Sequence, residues 1–181
     1  MLRKLGNDEL GRLSAEEFKT SEKFPFILVL DNIRSMNNIG SMFRTADAFR
    51  IEEMLLCGVT ACPPHREIQR TALDATESVA WQYFEQGTDA LNYLKAKGYK
   101  IFAVEQAEGA VSLNELKVAP ETKIALIMGN EINGVDAELM KMVDGCIEIP
   151  QFGTKHSFNV AVSAGITLWD LYTKTIFQQK P

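Results

Sequence analysis

Residues 24–60 read FPFILVLDNIRSMNNIGSMFRTADAFRIEEMLLCGVT, and this stretch decides the fold. Its first eight residues form a continuous apolar run with a β-branched centre, which is typical of a strand buried on both faces. The segment EEMLLCGVT (52–60) predicts a second strand. Between the two strands, apolar residues recur at helical spacing: Ile39, Met42, Phe43, Ala46 and Phe49. Strand, helix and strand in this order predict a parallel βαβ unit.

The same alternation continues to the end of the chain. Further strands are predicted at 78–84, 99–105, 123–129 and 146–150. A helical turn is predicted at 68–73, and helices at 88–97 (closed by Gly98), 135–143 and 159–177. The sequence therefore predicts an α/β fold with a mostly parallel sheet flanked by helices.

The first 23 residues differ from the rest because they are polar and charged. Leu10, Leu13 and Phe18 follow a helical pattern there, so residues 1–23 are predicted to form an N-terminal helical arm. Residues 24–181 are predicted to form one domain, as the length of 181 residues allows.

Composition excludes several classes of protein. With 46% apolar and 24% charged residues, the chain is neither disordered nor fibrous. No apolar run approaches the roughly 18 to 20 residues that a membrane span needs. The N-terminus lacks the apolar core of a secretory signal, and three irregularly spaced cysteines are not a disulfide framework. We expect a soluble cytoplasmic protein that makes no membrane contact.

Charge is distributed unevenly along the chain. The net charge of −5 argues against a protein that coats nucleic acid by bulk charge. All seven arginines, however, lie within residues 1–70. Because the guanidinium group binds phosphate and stacks on bases, this part of the chain is the candidate for a local anion site.

The last predicted helix is apolar on two sides. One row consists of Val160, Ala164, Leu168 and Leu171, and the other of Ala161, Gly165, Trp169, Tyr172 and Ile176. One row suffices to cover the sheet, and a second apolar row requires a partner. We therefore predict a homodimer through this helix.

Three loops that follow predicted strands carry polar residues suited to chemistry, and ligands of open α/β sheets bind beyond the carboxyl ends of the strands. In 31–49, Asn37 and Asn38 are predicted to cap a helix, Gly40 permits a close approach, and Arg44 lies on the polar helix face. The loop 129–135 has two glycines around a carboxylate and two asparagines. The loop 150–159 ends in Ser157, the predicted helix cap, and Asn159.

Familiar catalytic motifs are missing from the sequence. It has no P-loop, no dinucleotide-binding glycine fingerprint and no nucleophile elbow. Cys57, Cys62 and His65 have the spacing of a metal site but lack an obvious fourth ligand. We therefore predict no metal, and the two histidines poorly supply a catalytic triad.

Together, the three loops resemble the three motifs of the SpoU (TrmH) family of SPOUT-class RNA methyltransferases, over residues 24–177. The first motif is similar to Asn38-Ile39-Gly40 with Arg44-Thr45-Ala46 and Phe49, and the second to Gly129-Asn130-Glu131 with Gly134-Val135. The third is similar to Ile149-Pro150 followed by Ser157-Phe158-Asn159-Val160. The motifs occur in the family's order and at compatible spacing.

The resemblance implies a deep C-terminal trefoil knot, a homodimer and S-adenosylmethionine as the cofactor. It places the cofactor in the loops 104–106, 129–135 and 149–159, near Val104, Gly129, Ile149 and Phe158. A side chain at Gly129 would then enter the space of the ligand. The implied reaction is methylation of a ribose 2′-hydroxyl in RNA, with tRNA favoured over rRNA.

The resemblance also assigns catalytic roles. Arg44 is the central catalytic residue, either as a base or as a stabiliser of oxyanion charge, and its high intrinsic pKa favours the second role. Asn38 orients Arg44 or the ribose, and Glu131 aims a guanidinium or binds the substrate. Ser157 and Asn159 hold the third loop and the nucleotide.

Three positions depart from the family pattern. Phe158 replaces a leucine and is expected to pack near the adenine, and Gln151 replaces a methionine. Asp74 stands where the family has glycine, and it adds negative charge near the expected RNA path. Two alternatives remain open: a non-catalytic relative that binds S-adenosylmethionine or RNA, and a small-ligand α/β enzyme of another class.

Overall fold

The structure is a computed structural model that describes residues 2–175. Its centre is a sheet of seven strands, all parallel, in the order β3-β2-β1-β6-β4-β7-β5. The strands are β1 (Phe24–Asp31), β2 (Ile51–Cys57), β3 (Trp81–Phe84), β4 (Lys100–Val104), β5 (Val111–Ser112), β6 (Ile124–Met128) and β7 (Gly145–Glu148). Because all strands are parallel, the loops that follow them open at one edge of the sheet.

Helices cover both faces of this sheet. They are α1 (Ala15–Thr20), α2 (Met36–Ala48), α3 (Arg66–Ala72), α4 (Ala75–Ser78), α5 (Gly87–Ala96), α6 (Ala137–Met140) and α7 (Val160–Thr175). Two short 3-10 turns cover Asn7–Leu10 and Leu113–Glu115. The predicted α/β fold with a parallel sheet is thus confirmed.

The core has two layers, one on each side of the sheet. Alternate residues of β1 serve the two layers: Leu28 and Leu30 pack with residues of α2 and α7, whereas Ile27 and Val29 pack with residues of α5. This burial on both sides explains why β1 is a continuous apolar run rather than an alternating one.

Several predicted boundaries are corrected. The helix predicted at 135–143 is only one turn, α6, and the short strand β5 has no signal of its own in the sequence. In the arm, Gly11 adopts a left-handed conformation (φ 55°) that separates the 3-10 turn from α1. Leu10 and Leu13 are therefore exposed, and the helical pattern proposed for them is wrong. Phe18 joins the core, and the division between arm and domain stays a prediction.

The last helix is confirmed over Val160–Thr175, and residues 176–177 of its predicted span, including Ile176, lie outside the described residues. Its first apolar row is confirmed, since Ala164, Leu168 and Leu171 are buried. No helix within residues 2–175 is long and apolar enough to cross a membrane. The knot depends on how the chain is threaded, which strand order does not define, and it stays a prediction.

Candidate functional site

A cavity of about 440 Å³ opens at the carboxyl edge of the sheet. Its walls come from the segments that follow β4, β6 and β7 and from the first turn of α7. All four residues predicted to bind the cofactor line this cavity: Val104, Gly129, Ile149 and Phe158. Glu131, Ser157 and Asn159, predicted to be catalytic, line it too.

Asn130 gives the loop after β6 its shape. Its side-chain oxygen accepts hydrogen bonds from the N–H groups of Ile132 (3.0 Å) and Asn133 (3.2 Å). Its amide nitrogen donates to the carbonyl oxygen of Asn32, at 2.6 Å. The backbones of Asn130 and Gly134 also exchange two hydrogen bonds of 2.9 Å. The loop is therefore a closed turn attached to the end of β1.

Both glycines of this loop lie where a side chain does not fit. A Cβ atom on Gly129 would lie 2.3 Å from Gly134 C and from Val135 N. Gly134 has a φ of 70°, and a Cβ there would lie 2.2 Å from Glu105 Oε2. The expectation that a Gly129 side chain would enter the ligand's space is thus wrong, because it would first meet the backbone of its own loop.

Glu105 connects two walls of the cavity. Its carboxylate accepts hydrogen bonds from Val135 N–H (3.1 Å) in the loop after β6 and from Gln106 N–H (2.9 Å). The Gln106 amide in turn donates to the carbonyl oxygen of His156, at 3.0 Å. The sequence predicts cofactor binding by the loop 104–106 but gives Glu105 and Gln106 no individual role, and their only further signal is a polar pair directly after a buried strand.

A chain of three side chains joins the three motif loops. Glu131 Oε1 accepts a hydrogen bond from Asn38 Nδ2 at 3.1 Å, and Asn38 Oδ1 accepts one from Asn159 Nδ2 at 3.0 Å. Glu131 also accepts backbone N–H bonds from Arg34 and Ser35, both at 3.1 Å. Residues distant in the sequence thus form one polar unit beside the cavity.

The helix caps differ from those predicted and explain why this unit forms. Helix α2 begins at Met36, and its cap is Ser35, whose Oγ accepts from Asn38 N–H at 3.3 Å. The prediction that Asn37 and Asn38 cap this helix is therefore wrong. Both lie in the first turn, which frees the Asn38 side chain to bond with Glu131 and Asn159.

The cap of α7 is Asn159 rather than Ser157. Asn159 Oδ1 accepts a hydrogen bond from Ala161 N–H at 2.9 Å, one residue inside the helix. The prediction of a Ser157 cap is wrong, and Ser157 is an exposed residue on the cavity wall. Asn159 therefore both begins the helix and completes the side-chain chain.

The Glu131 carboxyl is held in its ionised form. Partial burial opposes ionisation, but hydrogen bonds from the Arg34 and Ser35 N–H groups and from Asn38 outweigh it. They hold the pKa of Glu131 below its ordinary value of 4.5. Because its pKa is lower in the folded state than in the unfolded state, the Glu131 carboxylate stabilises the fold above the unfolded-state pKa. This stabilisation is lost as the pH falls through the folded-state pKa.

We expect Glu131→Gln to lower the free energy of unfolding by about 1 kcal/mol at pH 7, as for a lost cap at an exposed site. The difference from the parent should shrink as the pH falls below 4.5, because protonation then removes the same charge. Urea unfolding at pH 7 and pH 3 measures it. Glu108→Gln, at an exposed site away from the cavity, is the control. A difference that persists at pH 3 would contradict this role of the charge.

Arg44 lies apart from this unit. It is exposed on α2, on the face opposite the buried Phe43 and Ala46, as predicted. It follows Asn38 by six residues, which is about 9 Å along the helix axis. Arg44 lines a second cavity, of about 880 Å³, between α2 and the N-terminal arm, together with Arg12. Within residues 2–175, the structure therefore does not bring Arg44 to the first cavity.

Asp74 lines the same second cavity. Its φ of 65° is left-handed, and so is that of Leu73, at 48°. A left-handed residue is most easily a glycine, so the backbone at Asp74 has a conformation that the glycine expected from the family pattern would adopt without strain. The other departure, Gln151, lines the first cavity.

The residues of the rejected metal pattern have other roles. Cys57 is buried, and burial raises the pKa of its thiol to about 12. His65 begins α3, where its Nδ1 accepts from Glu67 N–H at 3.2 Å. Over residues 2–175, no group of three or more His, Cys, Asp or Glu side chains is placed to hold a metal ion.

Fold and site together define a parallel α/β protein with a ligand cavity at the carboxyl edge of its sheet, beside a polar unit built from three loops. A sequence model of the SpoU rRNA Methylase family matches residues 25–169. The chain belongs to this family, and the resemblance drawn from its three motifs is confirmed.

Individual relatives agree with this membership. The tRNA (guanosine(18)-2′-O)-methyltransferase TARBP1 of Mus musculus is 33% identical over 151 residues, which is 82% of this chain and 9% of that protein. The tRNA (guanosine(18)-2′-O)-methyltransferase of Thermus thermophilus is 27% identical over 165 residues, 90% of this chain and 81% of that one.

Among solved structures, the AdoMet-bound rRNA methyltransferase of Sinorhizobium meliloti superposes with a TM-score of 0.76 at 27% identity. The match covers 83% of this chain and 57% of that one. This chain thus spans little more than half of that structure and a small part of the mouse protein.

Proposed function

We propose that this protein transfers a methyl group from S-adenosylmethionine to a ribose 2′-hydroxyl of RNA, with tRNA favoured as the substrate and rRNA as the alternative. The observation that carries the proposal is the hydrogen-bonded unit Glu131–Asn38–Asn159 beside the 440 Å³ cavity. It joins all three family motifs around one ligand site. The names of the mouse, Thermus and Sinorhizobium relatives support both substrate classes.

The cavity suits a cofactor of this size. Its volume of about 440 Å³ falls within the roughly 300–1,000 Å³ of small-ligand sites, and its walls combine glycine backbone with apolar and polar side chains. Val104, Gly129 and Ile149 would present backbone groups, and the partly exposed Phe158 ring would cover the adenine. When bound, the cofactor supplies an electrophilic methyl group on a sulfonium.

The chain's own residues supply orientation. The ribose oxygen must approach the methyl carbon to roughly 3 Å, and holding this geometry supplies much of the rate. Glu131 already accepts three N–H bonds, so we assign it to positioning Asn38 rather than to aiming a guanidinium. Asn38 and Asn159 each retain a free N–H for the nucleotide, since an amide carries two donors and each uses one here.

Arg44 acts from the second cavity, which lies between α2 and the N-terminal arm. An exposed guanidinium about 9 Å along α2 from Asn38 suits the phosphate of an RNA strand that spans both places. We assign it to hold this phosphate and thereby to fix the reacting ribose, since the guanidinium lies outside the cavity where charge develops on the ribose oxygen. Ser157, on the cavity wall, would hold the nucleotide. Because all five proposed catalytic side chains are present, a non-catalytic relative is disfavoured.

A homodimer through α7 is part of the proposal. The second apolar row of this helix leaves Trp169 55% exposed, and Val162 on the same helix is 49% exposed. The Trp169 ring is tilted by 49° to the Phe49 ring and is nearly parallel to the Tyr172 ring (18°), with centroids 6.3 Å from each. An aromatic group that is packed on one side and exposed on the other suits an interface between copies of the chain.

We expect Trp169→Glu to convert a dimer into a monomer, because an unpaired carboxylate is too costly to bury in an interface. Sedimentation at micromolar concentration measures this. Val111→Glu is the control, since Val111 is 44% exposed in β5, outside α7. A parent protein that sediments as a monomer would contradict the proposal.

A cytoplasmic location is also proposed. The three cysteines are free thiols, as is usual in a reducing compartment, and the proposed RNA substrates are found there.

Two measurements test the proposed function. Calorimetry should find one S-adenosylmethionine site per protomer, and a labelled methyl group should pass from the cofactor to total cellular RNA. Binding without transfer to any RNA would favour the small-ligand enzyme or the non-catalytic relative. A failure to bind the cofactor or its demethylated product would reject the proposal.

A further inference from the structure

The segment between β7 and α7 carries an aromatic ring that the proposed mechanism does not use. Gln151 and His156 both line the cofactor cavity, and residues 152–155 between them, here called the arch, do not line it. At the start of this arch, Phe152 is 97% exposed, the most exposed aromatic side chain within residues 2–175. Gly153, Thr154 and Lys155 are exposed as well.

Both ends of this arch are fixed relative to the cavity. On one side, Ile149 and Gln151 belong to the cavity wall. On the other, the carbonyl oxygen of His156 accepts a hydrogen bond of 3.0 Å from Gln106, which follows β4. Phe152 is therefore held next to the cavity rather than on a distant surface, within one residue of its wall.

The surroundings of Phe152 indicate what binds there. Two further apolar side chains, Ile132 (77% exposed) and Phe158 (41% exposed), border the cavity. Lys155, a cation, lies in the same arch. Exposed aromatic rings combined with a cation are the elements with which proteins bind unpaired bases and the phosphates between them.

Building on the proposed function, we infer that Phe152 stacks on an unpaired base of the RNA beside the target ribose, while Lys155 attracts the adjoining phosphate. Entry of the target nucleotide into a concave cavity favours an RNA loop, whose unpaired bases can leave the stack of their neighbours. An aromatic ring on a backbone segment that is held beside the cavity replaces part of the stacking that is lost. The inference makes the preferred substrate an RNA loop rather than a duplex, with little selection among bases at the stacked position.

The test compares three proteins. Phe152→Leu keeps the apolar character but removes the ring, and Phe152→Trp keeps a ring. Because one base on an aromatic ring contributes about 5- to 150-fold in affinity, we expect Phe152→Leu to raise the KM for RNA by a factor in this range. Phe152→Trp should remain near the parent, and S-adenosylmethionine binding should be unchanged in both. Val59→Ala, at a site 63% exposed, is the matched control.

Fluorescence provides an independent readout. With the parent's Trp81 and Trp169 signal subtracted, the tryptophan of Phe152→Trp should be quenched by a short single-stranded RNA and much less by a duplex of the same sequence. No quenching, or equal quenching by both, would overturn the inference even if no methyl transfer were observed.

The outcomes separate this inference from the proposed function. If the parent methylates RNA and the Phe152→Leu protein has an unchanged KM for RNA, stacking is refuted and the proposed function stands. A parent that methylates no RNA would reject the function itself. If Phe152→Leu instead weakened self-association in sedimentation, a second copy of the chain would be the occupant of this surface, and the inference would be wrong.

Discussion

Replacing Arg44 with alanine is expected to lower the rate of methyl transfer by about 100-fold, the usual effect of misplacing a reacting group by about 1 Å. S-adenosylmethionine binding should remain nearly intact, because Arg44 lines the second cavity, under the arm, and not the cavity proposed to bind the cofactor. A lower rate at saturating RNA with unchanged cofactor binding would show that Arg44 acts on the bound RNA rather than on the cofactor.

Two further variants sharpen this test. Arg44→Lys should recover little activity, since an ammonium does not reproduce the guanidinium fork. Arg66→Ala removes another exposed arginine, at the start of α3, and should change the rate by less than about twofold. Single-turnover rates with the same RNA compare them. An Arg44→Ala protein that methylates RNA at the parental rate would end the proposed role of this residue.

Replacing Gly129 with valine should have the second large effect, on cofactor binding. The new Cβ would lie 2.3 Å from two backbone atoms, Gly134 C and Val135 N. Backbone cannot rotate away as a side chain can, so the loop after β6 must shift. Overpacking of this kind costs about 1–3 kcal/mol of stability. A displacement of about 1 Å in a positioned site costs on the order of 100-fold, and we expect a similar loss of S-adenosylmethionine affinity.

Gly153→Val is the matched control, since a Cβ there meets nothing within 4 Å. It should bind the cofactor as the parent does. Calorimetry measures affinity, and urea unfolding separates local displacement from global loss of structure. A folded Gly129→Val protein with parental affinity would show that the loop after β6 does not form the cofactor site.

The strands were predictable because the sheet is buried on both faces. An apolar run such as residues 24–31 has few alternatives to a buried strand once helices cover both faces of the sheet. The one-turn helix α6 and the two-residue strand β5 were not predictable. Elements this short carry too few residues for periodicity to define them, and tertiary contacts fix their ends.

The three motif loops were predictable as a group, but the hydrogen bonds that join them were not. The bond between Asn38 and Asn159 spans 121 residues of sequence, and nothing local indicates it. The predicted caps failed for a related reason: a serine and an asparagine can exchange the capping role within one or two residues. In both helices the actual cap decides which side chain is free for the site.

The position of Arg44 illustrates a different limit. Its helix face was predictable from the 3.6-residue period, and the structure confirms it. The second cavity, in which it lies, also has the N-terminal arm as one of its walls. The path of this arm is set by the left-handed Gly11 and by the burial of Phe18. A single buried residue, Phe18, defines no hydrophobic period. The sequence therefore did not reveal that the arm covers this end of α2.

The most direct test of the central claim is the chemical position of the transferred methyl group. RNA labelled by the protein with radioactive S-adenosylmethionine is hydrolysed in alkali, which requires a free 2′-hydroxyl to cleave each phosphodiester bond. Methylation of the ribose oxygen blocks that cleavage, so we predict that the label appears in alkali-resistant dinucleotides. Label recovered in single nucleotides would show that a base had been methylated and would contradict the account.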